Sequence, residues 1–259
     1  MRNTHIPVRL SRAISWLLIL SHRGVLILLS ATALSCSSIR GIWCKNQRDL
    51  TGRVRLGYTA YANRSVSMRR LVSTLVWLES ALAIAGFGLL ALRISWLRTG
   101  WPRVIYPTWQ DTLLGVLLTA VMLALAVAGS AASERWAAWA FLKRWMLQVS
   151  PFLSELQPKE MVLLSVVAGF GEEALFRGVI QPIAGIWLAS LLFAVIHVLR
   201  WDSDGIKMIL FYMPFGLLLG GLYLLTDNLW GCCVAHTLYD LVALWWIQRQ
   251  VKRSGFSAH

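Results

Sequence analysis

The chain has 259 residues, 57% of them hydrophobic and only 14% charged, which is far more apolar than an average soluble domain. A formal charge of +13 would suit a nucleic-acid binder. The basic residues, however, crowd the first 70 positions and the short segments between apolar blocks, where Lys and Arg contact anionic lipid and set topology; nucleic acid is therefore set aside as a partner.

The apolar residues come in blocks of about twenty, the length that crosses about 30 Å of bilayer hydrocarbon. The expectation is an all-α, polytopic transmembrane helix bundle whose first partner is the lipid bilayer. Fourteen tryptophans agree, because many stand at block ends (Trp96, Trp101, Trp109, Trp201, Trp230, Trp245, Trp246) and such rings favour the membrane–water interface.

In chain order, residues 1–67 form a basic N-terminal region of uncertain status. Within it, "ISWLLILSHRGVLILLSATAL" is an apolar stretch broken by His22 and Arg23, readable as a poor signal sequence, an interfacial segment or a weak span. From Met68, "MRRLVSTLVWLESALA" has the look of a membrane-protein start. Six spans are expected, at 71–92, 111–132, 161–182, 183–199, 206–225 and 228–247, or seven if 14–35 also crosses. Residues 68–159 hold two of these spans and an amphipathic segment, 133–160, that suits a helix lying on the membrane surface. Residues 160–247 hold the last four spans, and 248–259 form a basic tail. Lys and Arg in 133–160, 200–207 and the tail put both termini on the cytoplasmic side of six spans, most simply of a bacterial inner membrane. Glu79 is expected to lie near a span end and to reach for the interface. The cysteines, Cys36, Cys44, Cys232 and Cys233, show no metal-ligand spacing and serve as small fillers.

A charged side chain at the centre of a span costs roughly 2.5–3.5 kcal/mol on insertion scales. Glu172, Glu173 and Asp240 nevertheless lie inside the last four spans, together with Arg177, His197 and His236. Glu173 and Arg177 are four apart on one helix face and can pair, which leaves Glu172, about 100° round the helix, free for other work. His236 and Asp240 share a face of the last span in the same way. Helices in lipid bring such faces together, so the expected product is a polar chamber inside the bundle.

Such a chamber suits hydrolysis. A carboxylate and an imidazole can jointly deprotonate a water, while His and Asp orient hydrogen bonds to an oxyanion. Alternatively Glu172, His197 and His236 could hold a divalent ion such as Zn²⁺, which would acidify the water directly. There is no G-x-S-x-G to supply a serine nucleophile and no H-E-x-x-H zinc helix.

Three motifs in order, "EEALFR", "FAVIH" and "HTLYD", fit E-E-x-x-x-R, F-x-x-x-H and H-x-x-x-D/N. Over about 160–247 the chain thereby resembles the CAAX-protease and bacteriocin-processing (Abi) family of intramembrane endopeptidases. The resemblance implies that Glu172 activates water with help from His197, that Glu173 and Arg177 form the structural ion pair of the first motif, and that Phe193 packs beside the site. It further implies that His236 and Asp240 stabilise the oxyanion or position water. The prenyl-protein-processing branch often has Asn at the last position, so Asp240 sets the chain apart from that branch. The implied substrate is a membrane-associated protein or peptide. Two rivals use the same residues differently: a non-enzymatic immunity or scaffold protein, and a proton-coupled transporter, the latter disfavoured because no internal repeat is visible.

Overall fold

The computed structural model describes residues 54–97, 104–198 and 200–253. The seventh span expected at 14–35, with Cys36 and Cys44, lies outside them. The chain divides into two compact units, Met1–Thr59 and Ala60–His259. Of the first, only residues 54–59, the opening of a helix, are described; the second holds the bundle and the site.

The described residues are helical with no strand among them: α1 Val54–Leu97, α2 Trp109–Arg135, a 3₁₀ turn Ala137–Trp139, α3 Ala140–Glu155, α4 Pro158–Leu175, a π-helical turn Phe176–Ile180, α5 Gln181–Ile196, α6 Ser203–Thr226 and α7 Leu229–Arg253. Four stretches are long and apolar enough to cross a membrane: Val72–Ser95, Trp109–Arg135, Pro158–Ile196 and Ser203–Thr226. The protein is an integral membrane protein, and helices are the form such stretches take, because hydrocarbon offers backbone N–H and C=O groups no other partners.

The third stretch covers both spans expected at 161–182 and 183–199. As one straight helix its 39 residues would run about 58 Å, roughly twice the hydrocarbon thickness. The chain instead breaks at Gly185, whose φ of 81° and ψ of 165° lie in a region that essentially only glycine occupies. Beyond it, residues 186–196 return antiparallel to α6, with Ser190 packed on Gly216 and Ile186 on Gly220. A Cβ at either glycine would come within 2.9 Å of its neighbour, so the close approach expected of "GLLLGGLY" is present. The π-helical turn lies just ahead of this break, the kind of interruption that often marks a functional site.

The amphipathic segment expected after the second span is α3. It buries Phe141 and Leu142 against Val198 and Met208, and Leu153 against Val72, Met161 and Leu164. Its outer face carries Lys143 and Arg144; Arg144 reaches Asp204 at the start of α6 through two hydrogen bonds of 2.6 and 2.8 Å. At the end of α3 the carbonyls of Leu153 and of the cap residue Leu156 accept from Gln248 Nε2, each at 2.8 Å.

At the other end of the bundle a polar clasp ties the start of α2 to the start of α7. Thr108 caps α2 by accepting from Asp111 N–H at 3.0 Å. Asn228, fully buried, donates from Nδ2 to Asp111 Oδ2 at 2.7 Å and to the Tyr106 carbonyl at 2.8 Å, and accepts from the N–H groups of Tyr106 and Trp230. Trp230 Nε1 donates to Thr112 Oγ1 at 2.8 Å.

Candidate functional site

The site is built where α4, α5, α6 and α7 face one another. Glu172 and Glu173 end the regular part of α4, and Arg177 follows inside the π-helical turn. Their relative exposures are 4%, 0% and 1%, and His236 of α7 is at 2%, so four ionisable side chains are almost sealed from solvent. Burial on this scale requires pairing.

Arg177 and Glu173 pair as their spacing predicts, Nη1 donating to Oε1 at 2.8 Å. The guanidinium also donates from Nη2 to the carbonyl of Gly216 at 3.0 Å and lies 4.6 Å from the Phe193 ring. It therefore links α4, α5 and α6, which a simple pair on one helix would not do. Glu173 Oε1 is shared a second time, with His236 Nδ1 at 2.8 Å. The other nitrogen of His236, Nε2, stands 3.5 Å from Asp240 Oδ2, one turn on. His236 is thus clamped between carboxylates of two helices, with the edge of Phe193 5.6 Å away.

Glu172 takes no part in this lattice. Its Oε2 is buried and has no hydrogen-bond partner among the described residues; across from it stands His197 Nε2, at 3.9 Å. His197 is the cap residue of α5, and its Nδ1 is 2.7 Å from the carbonyl of Phe193. A carbonyl only accepts, so Nδ1 carries the hydrogen and the lone pair of the neutral ring is at Nε2, facing Glu172. The imidazole is held in that orientation between Phe193, 4.6 Å away, and Tyr212, 4.7 Å away. Two acceptors therefore face each other at a separation too long for a direct hydrogen bond and short enough for one water to donate to both.

All six residues singled out in the sequence thus fall in one region: Glu172 with His197 on one side, and Glu173, Arg177, His236 and Asp240 on the other, with Phe193 between the two imidazoles. The sequence misses Tyr212 and the Gly216 carbonyl, for which no spacing rule exists. It also misplaces Glu79. Rather than reaching for the interface, this residue of α1 has its Oε2 buried without a hydrogen-bond partner among the described residues. It lies within electrostatic range of Asp240, His236 and Glu172. The signal is present, an acid inside an apolar span, but its place near one end of that span argues for the surface.

Among the described residues no group of three or more His, Cys, Asp or Glu side chains is arranged to hold a metal ion. Of the set Glu172, His197 and His236, the last has both nitrogens directed at carboxylate oxygens, Glu173 Oε1 at 2.8 Å and Asp240 Oδ2 at 3.5 Å.

Comparison with known proteins gives a concordant result. The family model described as Type II CAAX prenyl endopeptidase Rce1-like matches residues 155–242, which bears out the resemblance expected for 160–247. An uncharacterized protein of Bacillus subtilis (strain 168), YpbD, is 42% identical over 84 residues, covering 32% of this chain and 42% of that protein. The chain therefore matches less than half the length of that relative. No solved structure matches.

Proposed function

We propose that this chain, whose residues 155–242 match the Rce1-like CAAX endopeptidase family model, is an intramembrane endopeptidase that hydrolyses a peptide bond of a membrane-associated protein or peptide. One observation carries the mechanism: Glu172 Oε2 and His197 Nε2 face each other as acceptors 3.9 Å apart. A water between them donates one hydrogen to each, which turns its lone pairs outward. As it attacks the peptide carbonyl, Glu172 takes its proton and later returns one to the leaving amine. The carbonyl oxygen becomes an oxyanion. The contact between His236 Nε2 and Asp240 is 3.5 Å, at the edge of hydrogen bonding, and is the one that oxyanion can take over. Glu173 holds the other nitrogen of His236, and Arg177 holds Glu173, so the ion pair acts by positioning.

The same reading covers the membrane arrangement. On this reading the third of the four candidate stretches crosses twice, folding back at Gly185, and α7 crosses as well, making six passages from α1 onward. The basic residues beside α3, around position 200 and after α7 put both termini in the cytoplasm of a bacterial cell. Asp240, where the prenyl-processing branch often has Asn, favours a substrate other than a prenylated C-terminus; a peptide leader or a membrane-sorting tail fits equally.

The test is comparative proteomics of membrane fractions from cells carrying the wild type or Glu172→Gln. A precursor that accumulates only in the variant supports the proposal; equal profiles, with both proteins inserted at equal abundance, overturn it. Chelation of divalent ions is expected to leave cleavage unchanged. Loss on chelation, restored by Zn²⁺, would move water activation to a metal.

A further inference from the structure

We infer that Glu79 is a further positioning residue of this site, acting on Glu172 through buried water. The inference rests on the peptidase reading and adds a residue from α1, outside the segment that matches the family.

Three observations carry it. First, α1 is seated on α4 immediately beside the first motif. A Cβ on Gly171 would lie 2.5 Å from Ala83 Cα, and one on Gly86 would lie 2.6 Å from the Gly171 carbonyl oxygen. Glu79 is one turn before Ala83 on the same face of α1, so its side chain is directed at this crossing. Second, Glu79 lies within electrostatic range of Glu172, Asp240 and His236. Third, the region holds more buried polar atoms than the protein can satisfy. Glu79 Oε2, Ser165 Oγ, Glu172 Oε2 and Thr237 Oγ1 all lack hydrogen-bond partners among the described residues.

These atoms are not scattered. Ser165, Gly169 and Glu172 line one face of α4, at the helical spacing i, i+4, i+7. Thr237 of α7 lies directly against Gly169. Glu172 itself is more than nine-tenths buried with an unpartnered oxygen. Orphaned polar atoms from three helices at one level of a bundle are the setting in which proteins hold ordered water, which needs two to four such partners.

Glu79 supplies the carboxylate that anchors that water against Glu172 and Asp240. Without the anchor, the polar group that faces Glu172 Oε2 among the described residues is His197 Nε2, at 3.9 Å. The function of Glu79 is therefore to orient the water-activating carboxylate, with no contact to substrate.

The experiment uses full-length protein in liposomes, and as substrate the precursor that accumulates in Glu172→Gln membranes. Glu79→Gln should lower kcat by about 10- to 100-fold, the scale of a small misplacement of a catalytic group, with KM changed by less than about twofold. The shape of the pH profile of kcat should change, and the melting temperature should hold. Glu79→Asp should recover part of the rate and Glu79→Leu none. If Glu79→Gln cleaves at the wild-type rate, or loses rate only in proportion to lost folded protein, the inference is overturned while the peptidase reading stands. If no precursor accumulates in Glu172→Gln cells, the peptidase reading fails first and this one with it.

Discussion

The clasp around Asn228 and the cluster around Glu172 both set polar side chains of buried helices against each other, yet they end in opposite states. In the clasp, Asn228, Asp111, Thr108, Thr112 and Trp230 satisfy one another, and none of their buried side-chain atoms lacks a partner. In the cluster, Glu173 Oε1 is bonded twice, by Arg177 and by His236, yet Glu173 Oε2, Glu172 Oε2 and Glu79 Oε2 are buried without a hydrogen-bond partner among the described residues. A satisfied network rigidifies a bundle, whereas a partly satisfied one costs stability and is retained where the spare capacity is used. The contrast sets a structural tie apart from the centre proposed to be reactive without reference to any motif.

The comparison can be broken at either end. The largest effect is expected at Glu172: Glu172→Gln should cut the cleavage rate by about 10²- to 10⁴-fold, the usual worth of a general base, while thermal unfolding in detergent stays put. Arg177→Ala comes next and acts on both quantities. It strands the carboxylate of Glu173 in the core and should cost about 3–5 kcal/mol of stability, with cleavage failing as the protein unfolds; a stability loss under about 1 kcal/mol in equilibrium unfolding would show the pair to be dispensable. Asn228→Ala should cost about 1–3 kcal/mol by leaving the Tyr106 carbonyl and the Tyr106 and Trp230 N–H groups without their partner, yet leave the rate per folded molecule unchanged. If it instead abolished turnover in fully folded protein, the clasp would belong to the chemistry. Smallest, Thr112→Val removes one bond from Trp230 Nε1 and should lower stability by about 1 kcal/mol, measurable as a modest drop in melting temperature.

Much of the site can be read in the sequence because its signals are local. An acid in apolar surroundings is conspicuous at any position, and i, i+4 spacing is enough to pair Glu173 with Arg177 and to align His236 with Asp240. What spacing along one helix cannot supply is the partner across a helix interface. That His236 bonds Glu173, that Arg177 reaches the Gly216 carbonyl, and that Tyr212 backs His197 all depend on which faces meet. Glu79 is misplaced for the same reason: distance to the end of its span suggests a surface position, while the neighbour that matters stands on α4. The fold-back near 183 is visible as two adjacent apolar blocks, but its location at Gly185 depends on a backbone conformation that apolarity does not encode.

That fold-back makes the segment between the first two motifs a measuring rod. Glu172 is thirteen residues before Gly185 and His197 is twelve residues after it, which at the helical rise puts them about 20 Å and about 18 Å from the bend, and so opposite each other. A single residue added to either arm would slide that arm by about 1.5 Å and turn every later side chain by about 100°, carrying the imidazole off its carboxylate. The count of residues between these motifs is thus as much a part of this arrangement as their identity.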